Sequence, residues 1–164
     1  MNRTQSLRRI RFWLAFFMVG LAVSGLTAFP LERETTVLLL LIKRSTFFDG
    51  TGLALWLSTV RNGLMQTNQK FPFLAYGTDW LAFAHLVIAV PFIGPWKDPV
   101  RNSWVITFGL IACAGVIPLA LIAGAVRGIP FCWRLLDCAF GVVGSIPLAI
   151  CSWTVRKMEQ GLDC

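Results

Sequence analysis

The sequence predicts an all-α membrane protein with four transmembrane helices, and three observations carry that prediction. Hydrophobic residues make up 56% of the 164 and charged residues only 14%, against about a quarter charged in a soluble domain. Mean hydropathy is +0.68. Several apolar stretches reach the roughly 17–25 residues that a bilayer-crossing helix needs, and the basic residues gather at the ends of those stretches. Where no water reaches, each backbone N–H and C=O must be satisfied inside its own segment, so the stretches are read as helices.

The first span is expected over Phe12–Phe29, after the basic residues Arg3, Arg8, Arg9 and Arg11. A basic start followed by an apolar core also fits a signal peptide, but "GLTAFP" lacks an A-x-A cleavage pattern, and an uncleaved anchor is expected. Residues 30–78 form an outer segment. Within it "TTVLLLLI" is too short to span before Lys43 and Arg44 stop it. Pro30 at a first helical position, with Glu32 and Glu34 near the positive end of the dipole, predicts a short helix to about Arg44. After "DGTG" (49–52), Leu53, Leu57, Val60 and Leu64 recur at helical spacing, while Thr59, Arg61, Asn62 and Gln66 take the other side. Such helices would cap the bundle or present a recognition surface.

The second span is expected over about Asp79–Trp96, the third over Trp104–Val126 and the fourth over Cys132–Val155, all in a single membrane domain, 1–164. "KDPVRN" (97–102) makes the turn between the second and third, with Asp98 and Pro99 read as cap and first helical residue. "GVIPLALI" and "GSIPLAIC" place Pro118 and Pro147 near mid-span in both partners, as hinges or as packing features. Gly20/Ser24, Ala120/Gly124 and Gly141/Ser145 are small-xxx-small pairs that permit close helix approach.

Orientation follows from the retention of Lys and Arg on the cytoplasmic side. The basic N-terminal residues, Lys97 and Arg101 in the short loop, and Arg156 and Lys157 after the fourth span place both termini in the cytoplasm. The outer segment between the first two spans is then periplasmic. Trp13, Trp96, Trp104 and Trp153 fall at the same ends, as amphipathic rings at headgroup level should.

The net charge of +7 is accounted for by these loop residues, and no basic groove interleaved with aromatics appears, so no nucleic-acid partner is expected. The four-span topology resembles that of quinone-linked disulfide-generating enzymes, and the resemblance stops at topology. That chemistry needs a reactive cysteine pair on the outer side, and Cys113, Cys132, Cys138, Cys151 and Cys164 contain no C-x-x-C. Cys132 and Cys138 would stand about 9 Å apart in helical rise, too far for a disulfide. A single histidine cannot supply the two axial imidazoles of a membrane b-type haem. No metal-ligand spacing, phosphate loop or nucleophile elbow is present, so no metal or cofactor is assigned.

Polar residues at the outer ends of the spans remain. Arg134, Asp137, Cys138, Gly141 and Ser145 follow at steps of three and four and form a polar-and-small stripe that should face protein or a wet cavity. Asp79 after Thr78 reads as a helix cap. His85, about 9 Å deeper, needs another partner, and Asp137 is the candidate. The site expectation is an outer-leaflet pocket lined by His85, Arg134 and Asp137, with Asp79 and Arg127 at its mouth. It would bind a lipid, quinone-like or other small hydrophobic ligand. The alternatives are a buried polar network in a structural or assembly subunit with other membrane partners, or proton transfer through His85 and Asp137 in an enzyme or transporter.

"LAYGTDWLAFAH", "GPWKDPVRN" and "RGIPFCWRLLDCAFG" together resemble a group of small bacterial four-span integral membrane proteins of uncharacterised activity, over roughly residues 72–145. The resemblance implies placement in a bacterial inner membrane. It carries no activity, cofactor or catalytic residue.

Overall fold

A computed structural model describes residues 3–44 and 51–161, without the side chain of Lys43. Two of the four "DGTG" residues, Asp49 and Gly50, lie outside the described residues, as does Cys164. The described chain runs α1 (Arg3–Ala28), α2 (Leu31–Arg44), α3 (Gly52–Lys70), α4 (Ala75–Ala89), α5 (Ile93–Lys97), α6 (Ser103–Val126) and α7 (Phe131–Glu159), with 3-10 turns at Pro72–Leu74 and Val90–Phe92 and no strand. Four segments are long and apolar enough to cross a membrane: Arg3–Ala28, Pro72–Lys97, Ser103–Val126 and Phe131–Glu159. Their surfaces carry large apolar side chains. Phe16, Ile111, Leu119, Ile122 and Phe140 are all more than half exposed, whereas water would drive such a set inward.

Three of the expected spans appear with longer ends. Nothing in Arg3–Arg11 breaks a helix, so α1 begins well before Phe12. At the other end of the chain α7 continues past Val155, with Arg156 and Lys157 in its last turn, where cations oppose the negative end of the dipole. The second span differs in kind. Pro91 brings no N–H and crowds the carbonyl four residues back, so the helix tightens into the Val90–Phe92 turn and resumes as α5. At its start, the turn at Pro72–Leu74 and α4 place Asp79 inside the helix, in its second turn. Asp79 is therefore not the cap that the sequence suggests, and the Thr78 hydroxyl donates to the Ala75 carbonyl, at 2.6 Å, instead of accepting from a free N–H.

The turn "KDPVRN" is likewise corrected. Helix α6 begins only at Ser103, with Asn102 at the N-cap position. The Asp98 carboxylate accepts from the Arg101 N–H at 3.2 Å, and the Asn102 amide donates to the carbonyls of Asp98 (3.0 Å) and Gly94 (3.3 Å). Asp98 thus closes a turn of its own and leaves helix initiation to residues further on.

Contacts divide the chain into two compact units, one formed by Met1–Leu21 and Val87–Cys164, the other by Ala22–Leu86. In the first, Ile10 and Leu14 of α1, Phe92, Val105 and Ile106 of α6, and Leu148, Cys151 and Val155 of α7 form a buried core, with Trp13 and Phe17 packed against it. Helices α6 and α7 run antiparallel along a seam of glycines. A Cβ added at Gly141 would stand 2.6 Å from the Cys113 carbonyl oxygen, and one at Gly109 would stand 2.7 Å from Leu148 and 2.8 Å from Phe92. This is the close approach that small residues allow in lipid, where apolar burial gives no preference for a neighbouring helix over acyl chains. Pro118 and Pro147 both lie inside continuous helices. Of the small-xxx-small pairs, Gly124 and Gly141 sit on the seam, Gly20 meets open space, and Ser145 donates to the Val142 carbonyl of its own helix.

In the second unit α2 and α3 form a hairpin across the segment expected to be helical. Thr35 and Leu39 of α2, with Ala54 and Leu57 of α3, are buried. Two polar links tie the pair: Arg61 Nε donates to Thr36 Oγ1 at 3.0 Å, and Asn68 Nδ2 to Glu32 Oε2 at 2.7 Å. Beside it the C-terminal half of α1 meets α4 at Gly25, where an added Cβ would stand 2.7 Å from the Ala82 carbonyl oxygen and 3.1 Å from the His85 Cβ.

Candidate functional site

Arg134 lies in the first turn of α7, its N–H donating to the Pro130 carbonyl at 3.1 Å. The side chain leaves α7 toward α6. Gly124 makes this possible: an added Cβ there would fall 2.6 Å from the aliphatic stem of Arg134. Beyond that gap the Nη1 group donates to the Leu121 carbonyl at 3.3 Å, and the guanidinium lies 5.3 Å from the centre of the Phe131 ring. Nε is buried and has no hydrogen-bond partner among the described residues. A cation inside a span with one long bond and one orphaned donor is costly unless something else completes its shell.

The rest of the predicted stripe follows the same direction. Cys138 Sγ approaches the Ile117 carbonyl at 3.9 Å and Gly141 sits against Cys113, so the polar-and-small face of α7 meets α6. Asp137 is half-buried one turn beyond Arg134. The guanidinium is engaged by Leu121 and Phe131, and no ion pair joins the two among the described residues. Arg127 ends α6. Its N–H donates to Ala123, and Gly128, at φ 68°, lets the Ile129 N–H reach back to Gly124 at 2.9 Å. That tight connection brings Arg127, exposed, to the same end of the α6–α7 hairpin as Arg134.

His85 and Asp79 belong to the other compact unit. The His85 Nδ1 lies 2.8 Å from the Leu81 carbonyl of its own helix. A carbonyl only accepts, so the bond requires the proton on Nδ1 and, in the neutral ring, leaves Nε2 as an acceptor. The ring's backbone side is taken by α1 at Gly25. Asp79, six residues earlier, is half-buried in α4.

A different constellation has no counterpart among the sequence-predicted site residues. At the far end of α7, a cavity of about 730 Å³ opens between the start of α1, the α5–α6 turn and the last turn of α7. Arg3, Lys97 and Arg101 line it with Leu7, Met158 and Glu159. Near the same helix ends Trp rings carry cations: Arg11 lies 5.5 Å from the centre of Trp96, Arg9 5.9 Å and Lys157 3.8 Å from that of Trp153. Arg11 Nε also donates to the Trp96 carbonyl at 3.2 Å. Arg3, Lys97 and Arg101 are each visible in the sequence as basic residues at the ends of spans. Their convergence on one cavity is not, because it depends on three chain segments meeting in space.

Among the described residues no cluster of His, Cys, Asp and Glu gathers to hold a metal ion, and Cys113, Cys132, Cys138 and Cys151 are free thiols. Comparison of the chain with protein-family models, with curated proteins and with solved structures gives no match.

Proposed function

We propose that this chain is a multi-pass protein of a bacterial inner membrane, with both termini cytoplasmic, that binds a small amphiphile through Arg134 at the outer end of the α6–α7 hairpin. The observation that carries the reading is the buried Nε of Arg134, which has neither a hydrogen-bond partner nor a counter-ion among the described residues and is held beside a carbonyl and a ring. An anionic lipid headgroup or a quinone-like carbonyl supplies the acceptor this donor lacks, with Arg127 adding charge at the same end. Asp137 would accept from a ligand hydroxyl. The role is that of an accessory binding protein, and no bond-making chemistry is assigned to it.

Extraction in mild detergent followed by mass spectrometry of bound small molecules tests this. Wild type should carry an amphiphile at near-stoichiometric level, Arg134→Lys should retain part of it, and Arg134→Gln should lose it while helicity is unchanged. Equal occupancy in Arg134→Gln would remove the reading. Orientation is tested by impermeant thiol labelling of whole cells. A cysteine at Asn62 should react above the native background and one at Gln160 should not; the reverse pattern inverts the topology.

A second reading, a structural or assembly subunit, is favoured by α2. Val37, Leu38, Leu40 and Leu41 stay exposed on a helix too short to span. A protein partner co-purifying in fixed ratio, and lost with Leu40→Gln/Leu41→Gln, would support it.

A further inference from the structure

The cavity at the other end of α7 is independent of Arg134. Helix α7 is 29 residues long, and Arg134 and Met158 stand about 36 Å apart along it at 1.5 Å per residue. Both belong to the same compact unit. The cations at this end divide by environment. Arg9, Arg11 and Lys157 rest on tryptophan rings. Arg3, Lys97 and Arg101 instead line the cavity, exposed.

The cavity wall is built rather than incidental. The α5–α6 turn that presents Lys97 and Arg101 is closed by the Asp98 carboxylate on the Arg101 N–H and by the Asn102 amide on two carbonyls, so the two cations are offered from a fixed backbone. Asp98 lines the same cavity, and its carboxylate is already engaged by that N–H. Leu7 and Met158 give the cavity an apolar side. The cation-bearing rings of Trp96 and Trp153 mark the same end as the level where apolar and wet phases meet. Three cations, an apolar wall and that level suit one ligand chemistry, a phosphate attached to a hydrophobic body.

We propose that this cavity binds a phospholipid headgroup, its phosphate held by Arg3, Lys97 and Arg101 and its glycerol and upper acyl carbons lying on Leu7 and Met158. Glu159 stands at the same cavity to accept from a headgroup hydroxyl. Net charge across these side chains disfavours a second anionic group, so a monoanionic phosphodiester is the preferred form.

The test uses the full chain in detergent and follows tryptophan fluorescence, since Trp96 adjoins Lys97, during titration with dioctanoyl phosphatidylglycerol, dioctanoylglycerol or inorganic phosphate. Saturable binding of the phospholipid is expected, with dioctanoylglycerol and free phosphate each weaker by about tenfold or more, the loss of one charge-assisted contact set. Lys97→Gln/Arg101→Gln should weaken the phospholipid by a similar factor with unchanged helicity. Equal binding of dioctanoylglycerol overturns the proposal, because the phosphate would then contribute nothing. Equal binding of inorganic phosphate overturns the lipid assignment and makes the ligand a soluble phosphate. Unchanged binding in the folded double variant also overturns it. Should that variant fail to fold, Arg3→Gln, outside the turn, takes its place, with a severalfold loss expected and no loss counting against the site. The Lys97→Gln/Arg101→Gln loss is also read in an Arg134→Gln background, where lipid held near Arg134 does not contribute, so failure here and failure of the Arg134 reading are separable.

Discussion

Two helical hairpins in this chain are held together by opposite means. Between α6 and α7 the helices close on glycines, with Gly141 against a backbone carbonyl and Gly109 against Leu148 and Phe92, and the one polar crossing with an oxygen or nitrogen donor among the described residues is Arg134 to Leu121. Between α2 and α3 two side-chain hydrogen bonds, Glu32–Asn68 and Thr36–Arg61, do the tying around a small interior of Thr35, Leu39, Ala54 and Leu57. On the membrane placement proposed above, the difference follows from the solvent. Inside lipid an apolar side chain gains nothing by leaving acyl chains for a neighbouring helix, so association depends on dense contact and on backbones coming close. A hairpin rich in Glu, Arg, Asn and Thr suits water or headgroups beside it, where polar pairs set register while a short apolar stripe supplies burial.

The largest effect expected from this contrast is at Gly141. Gly141→Ala puts a methyl 2.6 Å from a backbone oxygen that cannot rotate away, so α6 and α7 must separate, at a cost of about 1–3 kcal/mol. Thermal unfolding in detergent should show a clear fall in midpoint. Gly124→Ala tests the same seam at a softer point, since its neighbour is the stem of Arg134. The expected stability loss is smaller, about 1 kcal/mol or less, but the guanidinium is displaced, and amphiphile retention should fall with it. A Gly124→Ala chain that keeps its bound amphiphile would separate Arg134's position from binding.

The α2–α3 hairpin should respond differently. Asn68→Ala removes the donor to Glu32, a bond at 2.7 Å in a partly buried setting, and the loss should be about 1 kcal/mol. It should appear as faster hydrogen exchange confined to α2 and α3, with the α6–α7 seam unaffected. A global fall in midpoint as large as that of Gly141→Ala would erase the distinction between the two hairpins.

How much of this was legible in the sequence tracks how local each signal is. The spans could be read from length and composition alone, and the helix after Pro30 from Glu32 and Glu34 in its first turn, as found. The break at Val90–Phe92 was missed although Pro91 is plain to see, because the run around it stays apolar and hydropathy does not register a change of helix type. Asp79 was misplaced because the helix starts earlier, after a turn at Pro72–Leu74 that an apolar stretch conceals. For the site, the direction of the α7 stripe followed from the cost of polar groups in lipid. Which carbonyl Arg134 reaches, and that Arg3 shares a cavity with Lys97 and Met158, depend on tertiary packing that no local pattern encodes.

The smallest expected effect makes the sharpest use of the comparison. Gly20 and Gly141 look alike in sequence: each begins a small-xxx-small pair inside an apolar span. In the structure an added Cβ at Gly20 meets nothing within 4 Å, whereas at Gly141 it meets a backbone carbonyl. Gly20→Ala therefore adds no contact to be paid in strain and removes backbone freedom from the middle of α1, so its midpoint should hold or rise, by up to about 1 kcal/mol in stability. The same substitution is thus expected to carry opposite signs at two positions that the motif treats as equal. Gly20→Ala as damaging as Gly141→Ala would mean that Gly20 packs against something, and a second copy of the chain would be the first partner to test, by crosslinking a cysteine placed at Val19.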